Sequence, residues 1–161
     1  MHLVSGMVFE HTYCRTCLRC CRNTEMILLR CDLERIEGLG YRCDDFAELR
    51  DSFIRLRNVD GRCIFLDESS GSCRIYDARP LGCRIYPLIY DEDTGIRFDS
   101  ECPLASYWMF NCSELVKGIN ELMYFLRRLE IEYGYKVNWS LFYSSKKRLL
   151  RSCTNSEPQT S

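Results

Sequence analysis

The chain has 161 residues, enough for one domain with a sizeable core and too few for two comfortable ones. Apolar residues make up 46 % and aromatics 12 %, which argues against a disordered polymer; a net charge of −1 gives no basis for bulk binding of nucleic acid. Against that ordinary background stand twelve cysteines.

Met1 to Glu10 has neither the basic n-region nor the long apolar h-region of a secretory signal. No run is long enough to span a membrane. The expected setting is therefore the cytoplasm, where thiols stay reduced and serve metals or redox chemistry rather than disulfides. Residues 11–23 hold four cysteines in eight positions: Cys14, Cys17, Cys20 and Cys21. Glu25 to Arg30 carries a short apolar run and reads as a strand. Asp32 is placed to cap a short helix through Leu33, Ile36 and Leu39, ended by Gly38 and Gly40. Asp44 or Asp45 caps a second helix, with Phe46, Leu49, Phe53 and Ile54 at helical spacing.

The middle third reads as β. Arg62–Asp67 and Ser72–Asp77 are strands joined by turn residues at Glu68–Gly71, and Pro80 stops the second. Arg84–Tyr90 and Ile96–Phe98 form a hairpin across the acidic turn at Asp91–Gly95. The last third is helical. Ser113 and Glu114 open a long helix with an apolar stripe of Leu115, Ile119, Leu122, Met123, Leu126, Leu129 and Ile131, and Gly134 ends it. Another helix runs from Asn138 or Ser140 to about Arg151. The expected fold is a small α+β domain, cysteine-rich and metal-organised, with a β-hairpin centre and C-terminal helices. It forms one domain over 1–153, with its motif core at 11–103, a helical part at 113–152 and a disordered tail at 154–161.

Thiolate is the softest ligand a protein owns and selects zinc, copper(I) or iron–sulfur clusters. Cys14-x-x-Cys17-x-x-Cys20 is the spacing by which a loop wraps three thiolates around one corner of a cluster. With Cys21 in place of Cys20, the set becomes one face of a helix. Further cysteines follow at Cys63, Cys73 and Cys83, each ten residues after the last, and then Cys102 before Pro103. Cys63 and Cys73 fall in the facing strands of the expected hairpin. Eight thiolates suffice for two four-ligand sites, or for one cluster with spare thiols. Three close ligands with remote ones favour an iron–sulfur cluster, while zinc stays open. Arg15, Arg19, Arg22, Arg62, Arg74, Arg79 and Arg84 lie beside these cysteines, where guanidinium groups can hydrogen-bond sulfur and lower thiol pKa values.

These strings carry a resemblance. Cys14-Arg-Thr-Cys-Leu-Arg-Cys-Cys-Arg, then Gly61-Arg-Cys-Ile-Phe-Leu, then Cys73-Arg-Ile-Tyr-Asp-Ala-Arg-Pro-Leu-Gly-Cys-Arg-Ile-Tyr-Pro, is similar to the YkgJ family of cysteine-cluster proteins with a zinc- or iron-chelating CxxCxxCC domain. The likeness covers residues 11–103. It implies metal ligation by Cys14, Cys17, Cys20, Cys21, Cys63, Cys73 and Cys83, with Cys102 as a late member and Arg79, Pro80 and Arg84 in the signature. The same cluster resembles that of flagellin lysine-N-methylases, which implies iron–sulfur; this chain is much shorter than those enzymes.

The remaining residues have plainer readings. Cys31, Cys43 and Cys112 are expected to be small buried hydrophobes, and Cys153 an exposed thiol near the tail. His2 and His11 read as polar surface rather than ligands. Tyr76, Tyr86, Tyr90 and Phe65 belong to the core. Lys146–Arg151 reads as a solvated helix face. With two histidines there is little room for acid–base catalysis, so the leaning is away from an enzyme. The leading expectation is a [4Fe-4S] protein for electron transfer, cluster delivery or support of a partner metalloenzyme or redox protein. A structural zinc-binding interaction module is the alternative, and a component of a methyl-transfer or redox enzyme is the third reading.

Overall fold

A computed structural model of the chain describes residues 9–154. Its architecture is mixed α+β, with small antiparallel strand pairs at the front and helices at the back. His2, and the tail expected from 154 onward except Thr154 itself, lie outside the described residues.

The first helix, α1 (Cys14–Cys17), is one turn long, because Leu18 takes a left-handed conformation (φ 54°) that ends it. A 3-10 turn over Arg19–Cys21 follows. The helix expected around Asp32 is α2 (Arg30–Glu37), but Asp32 sits inside its first turn rather than at the cap. Its carboxylate reaches back to accept the Leu29 N–H at 3.1 Å. The segment before it is no regular strand. It runs extended beside the next hairpin, making one bridge between Ile27 and Arg55 and bonds from Leu28 N to Ile54 O and Leu56 N to Met26 O.

The second helix expected near Asp44 survives only as α3 (Cys43–Phe46). The rest of that stretch is a hairpin, β1 (Ala47–Arg50) against β2 (Phe53–Leu56). Asp51 and Ser52 both take positive φ, 52° and 68°, the tight two-residue turn whose twist suits paired strands. The strand expected over 62–67 is broken in two. β3 (Asn58–Val59) pairs with β4 (Arg62–Cys63), and β5 (Leu66–Asp67) pairs with β6 (Ser72–Cys73). Cys63 therefore opposes Asn58 and Cys73 opposes Leu66, so the two cysteines are not facing partners in one hairpin.

Pro80 precedes α4 (Leu81–Ile85), which occupies what was read as the start of a strand. The hairpin after it is present as β7 (Leu88–Asp91) and β8 (Gly95–Phe98). Asp91 shapes its turn by accepting the Asp93 and Thr94 N–H groups and the Thr94 hydroxyl. A short helix that the sequence did not signal, α5 (Ala105–Met109), leads into the long α6 (Cys112–Tyr133). The Asn111 side chain caps α6 by accepting Glu114 N, and Gly134 closes it with φ 67°. Its buried stripe is Leu115, Gly118, Ile119, Leu122, Leu126 and Leu129, whereas Ile131 is exposed. The last helix is α7 (Trp139–Thr154), capped by Asn138 accepting Leu141 N at 3.0 Å.

Two apolar clusters result. The larger joins α4 to α7 with β7, β8 and Phe9. The smaller gathers Leu28, Ile36, Phe46, Leu56, Phe65 and Ile75 under the strand pairs, and Cys21, Cys63, Cys73 and Cys83 belong to it or pack against it. Cys112 and Cys153 are joined as a disulfide that clips the start of α6 to the end of α7. This corrects the expectation for both. Cys153 is buried, because it continues the inward face of α7 below Phe142 and Ser145. No described helix is long and apolar enough to cross a membrane.

Candidate metal centre

The eight predicted cysteines come from six places in the fold. Cys14 and Cys17 begin and end α1, and Cys20 and Cys21 follow in the 3-10 turn. Because Leu18 separates those two turns, the run does not form one continuous helical face. Cys63 ends β4, Cys73 ends β6 and Cys83 lies in α4. Cys102 sits in the turn after β8, its N–H bonded to Asp99 O and its carbonyl to Ala105 N.

These thiols are close enough to feel one another's charge. Burial pushes Cys14 up to about 11, with Cys102, Cys20 and Cys17 adding to the rise and the Arg79 guanidinium opposing it. Cys102 is raised by burial and by Cys20 and Cys17. Cys63 is pushed up to about 11, mainly by burial and then by Cys73 and Cys20. Burial raises Cys83 too, reinforced by Cys20, Cys63 and Cys73. Cys73 is raised by burial and by Cys20. The Cys21 thiol donates to Cys20, which raises Cys21 and, with help from Arg79, brings Cys20 down to about 7; Cys63 and Cys83 also raise Cys21.

The pattern divides the set. Cys63 and Cys83 act on Cys21, Cys73 acts on Cys63 and Cys83, and all four belong to the smaller apolar cluster or pack against it. Cys17 and Cys102 act on Cys14, Cys17 acts on Cys102, and none of the three packs against that cluster. Cys20, the exposed member, faces both groups. Cys31 and Cys43 are half-buried and pack against the larger and the smaller apolar cluster respectively, with Asp32 and Glu132 as acidic neighbours in one case and Glu37 and Asp44 in the other.

Arg79 is the cation within this group. It lies over the Tyr76 ring at 3.7 Å, donates from Nε to Tyr76 O at 2.8 Å, and lowers the pKa of Cys14, Cys20, Cys73 and Cys83. Arg15 lies over the same ring at 4.0 Å, which ties α1 to the turn before α4. Arg84 is elsewhere. Its charged neighbours are Arg35, Asp32, Glu121 and Arg79, and its Nε is buried with no acceptor among the described residues. Arg62 and Arg74 pair with carboxylates, Arg62 with Glu68 and Arg74 with Asp67 at 3.9 Å. His11 accepts the Tyr13 N–H at Nδ1 and packs on Tyr107.

A residue that sequence reasoning valued only as a helix cap holds the frame. The fully buried Asp32 accepts Leu81 N, at the start of the cysteine-bearing α4, at 2.9 Å. Arg35 bonds both Asp32 at 3.1 Å and Arg79 O at 2.9 Å. The link from Asp32 to Leu81 spans 49 residues, so no local pattern could signal it.

The donor set fits a soft metal: eight sulfurs, a nearby guanidinium and an apolar floor. Among the described residues no three His, Cys, Asp or Glu side chains already surround one point closely enough to hold an ion.

Residues 13–103 match the CxxCxxCC family, described as a putative zinc- or iron-chelating domain. A curated protein of Methanocaldococcus jannaschii, named only as uncharacterized, is 35 % identical over 83 residues. That match covers 47 % of this chain and 43 % of the relative, so the chain spans less than half of the relative's length. No solved structure matches.

Proposed function

The chain belongs to the CxxCxxCC family of zinc- or iron-chelating domains, and from that premise we propose that it is an iron–sulfur protein with two adjacent four-thiol sites. The observation that carries the reading is the division of eight thiols into two groups that meet at Cys20. Cys21, Cys63, Cys73 and Cys83 are the inner site. Cys14, Cys17, Cys20 and Cys102 are the outer one. Bound [4Fe-4S] clusters would supply one-electron chemistry, with potentials set by charge, hydrogen bonding and solvent exposure.

The protein's own residues have separable tasks. Phe46, Phe65 and Leu28 keep water from the inner thiols. Arg79 offsets part of the thiolate charge, and Tyr76 holds its guanidinium in place. Exposed Cys20 marks the side from which a partner approaches. The role that follows is electron transfer or cluster delivery to a partner metalloenzyme or redox protein. We assign no catalytic residue. Ten free thiols suit a reducing compartment despite the one disulfide, Cys112–Cys153, and on that ground we assign the cytoplasm.

Anaerobic purification with metal and acid-labile sulfide analysis tests the reading. Two clusters give brown protein with about eight iron and about eight sulfide per chain. Colourless protein with about two zinc per chain and no sulfide would overturn the iron–sulfur assignment, and the same thiol sets would then be closed structural zinc sites.

A further inference from the structure

The family match ends at residue 103, so α6 and α7 lie outside it. Along the outer side of α7 runs a shallow groove of about 420 Å³, widely open to solvent and lined among the described residues by Tyr143, Lys146, Lys147, Leu150, Arg151 and Thr154. Lys147 and Arg151 are exposed, and Lys146 is half-buried. None of the three has an ion-pair partner among the described residues. Tyr143 is 47 % exposed beside them, and its ring lies 6.1 Å from that of Trp139, one turn earlier. The opposite face of α7 is committed to the core through Phe142, Ser145 and the Cys153 disulfide. The helix is therefore held from behind and cationic in front.

We propose that this groove docks an acidic segment of a protein partner, one that carries an apolar anchor between carboxylates. Charge complementarity fixes the sign, since three cations on two turns of helix, unpaired among the described residues, favour anions. The ring of Tyr143 and the side chain of Leu150 call for an apolar group as well, which a bare phosphate chain lacks. The chain's net charge of −1 gives no long-range attraction for a polyanion, so the field is local and suits a short peptide rather than nucleic acid. Site and partner are independent of the metal's identity.

The probe is a short fluorescein-labelled peptide with a Leu-Phe pair flanked by Asp and Glu, titrated into the full chain and followed by anisotropy. Saturable binding should weaken with added salt. Lys147→Glu with Arg151→Glu should weaken it by about tenfold or more, with metal content and thermal unfolding unchanged. Tyr143→Ser, which leaves the charges intact, should weaken it several-fold. The proposal is overturned if the peptide does not bind, or if its amide counterpart (Asn and Gln for Asp and Glu) binds equally. It also falls if the charge-reversed chain keeps full affinity, or if an oligothymidylate binds more tightly than the peptide at the same salt. A chain ending at Thr154 that gains more than about tenfold in affinity would identify residues 155–161 as the groove's occupant instead, and would overturn it too.

Discussion

Asp32 shows how much one side chain can organise. It takes hydrogen bonds from Leu29 N, Leu81 N and Arg35, and it is fully buried. Asp32→Ala strands buried donors, so urea unfolding should show a loss of about 2–4 kcal/mol. Burial raises the Asp32 pKa, against the pull of those donors. A carboxyl with a raised folded value binds its proton more tightly in the folded chain. Stability therefore falls as pH rises through that value, and the Ala variant should lack this part of the profile. Cys20 gives the opposite case. The hydrogen bond from Cys21, aided by Arg79, lowers it to about 7, while its neighbours are raised. In metal-depleted protein at pH 7, iodoacetamide should label Cys20 first, as peptide mass mapping would reveal. Cys21→Ala should slow that labelling most and Arg79→Gln less, because each loss raises the Cys20 pKa. Spacing alone identified the thiols as candidates. It could not rank them, because the ranking depends on how the Cys21 thiol is turned toward Cys20 and, to a lesser degree, on Arg79, 59 residues away.

At the scale of elements, long amphipathic segments were legible and short ones were not. α6 and α7 each present a sustained helical stripe with a cap, so their limits fall near those expected. Phe46, Leu49, Phe53 and Ile54 also fit a helix, yet Leu49 is 76 % exposed and the segment is a hairpin. The two left-handed residues Asp51 and Ser52 decide it, and neither is a glycine that would have announced the turn. Cys153 was misread because it neighbours a polar tail, although Phe142 and Ser145 already mark its face as the inward one. Its bond to Cys112 closes a span of 41 residues. Cys153→Ser should therefore lower stability by about 2–4 kcal/mol, read as a fall in Tm that reductant reproduces in the wild type. Gly118 makes a second test of packing. A Cβ there would fall on the Phe9 ring, so Gly118→Ala should destabilise by about 1–3 kcal/mol despite its better helix propensity.

At the scale of the whole molecule, metal and fold are linked through protons. The candidate thiols could be named from the sequence, but the grouping that we propose for them follows from where Leu18 turns the chain and where β4, β6 and α4 end. α4 packs on α6, so the frame around Cys83 extends into the helical back of the protein. Cys14 and Cys63 are each pushed up to about 11, and the inner thiols are raised with them. A thiol with a raised folded value favours the folded state in its protonated form. The stability it contributes is complete below the unfolded value and disappears as pH climbs toward the folded one. Metal-depleted protein should therefore lose stability steadily between about pH 8.5 and about pH 11. Metal needs the thiolate, so loading at neutral pH must expel protons, and apparent affinity must fall as pH falls. Once the sulfurs are ligated they no longer titrate in that range, and their share of the alkaline loss should vanish, leaving only that of Cys31, Cys43 and the half-buried tyrosines. Thermal unfolding at neutral and at alkaline pH, with and without metal, measures both effects at once. Cys17→Ser should lower metal content and narrow the gap between the loaded and depleted profiles, whereas Cys43→Ser, whose thiol has Glu37 and Asp44 rather than the other cysteines as charged neighbours, should leave that gap intact. Identical alkaline profiles for loaded and depleted wild type would mean that these thiols do not hold the metal.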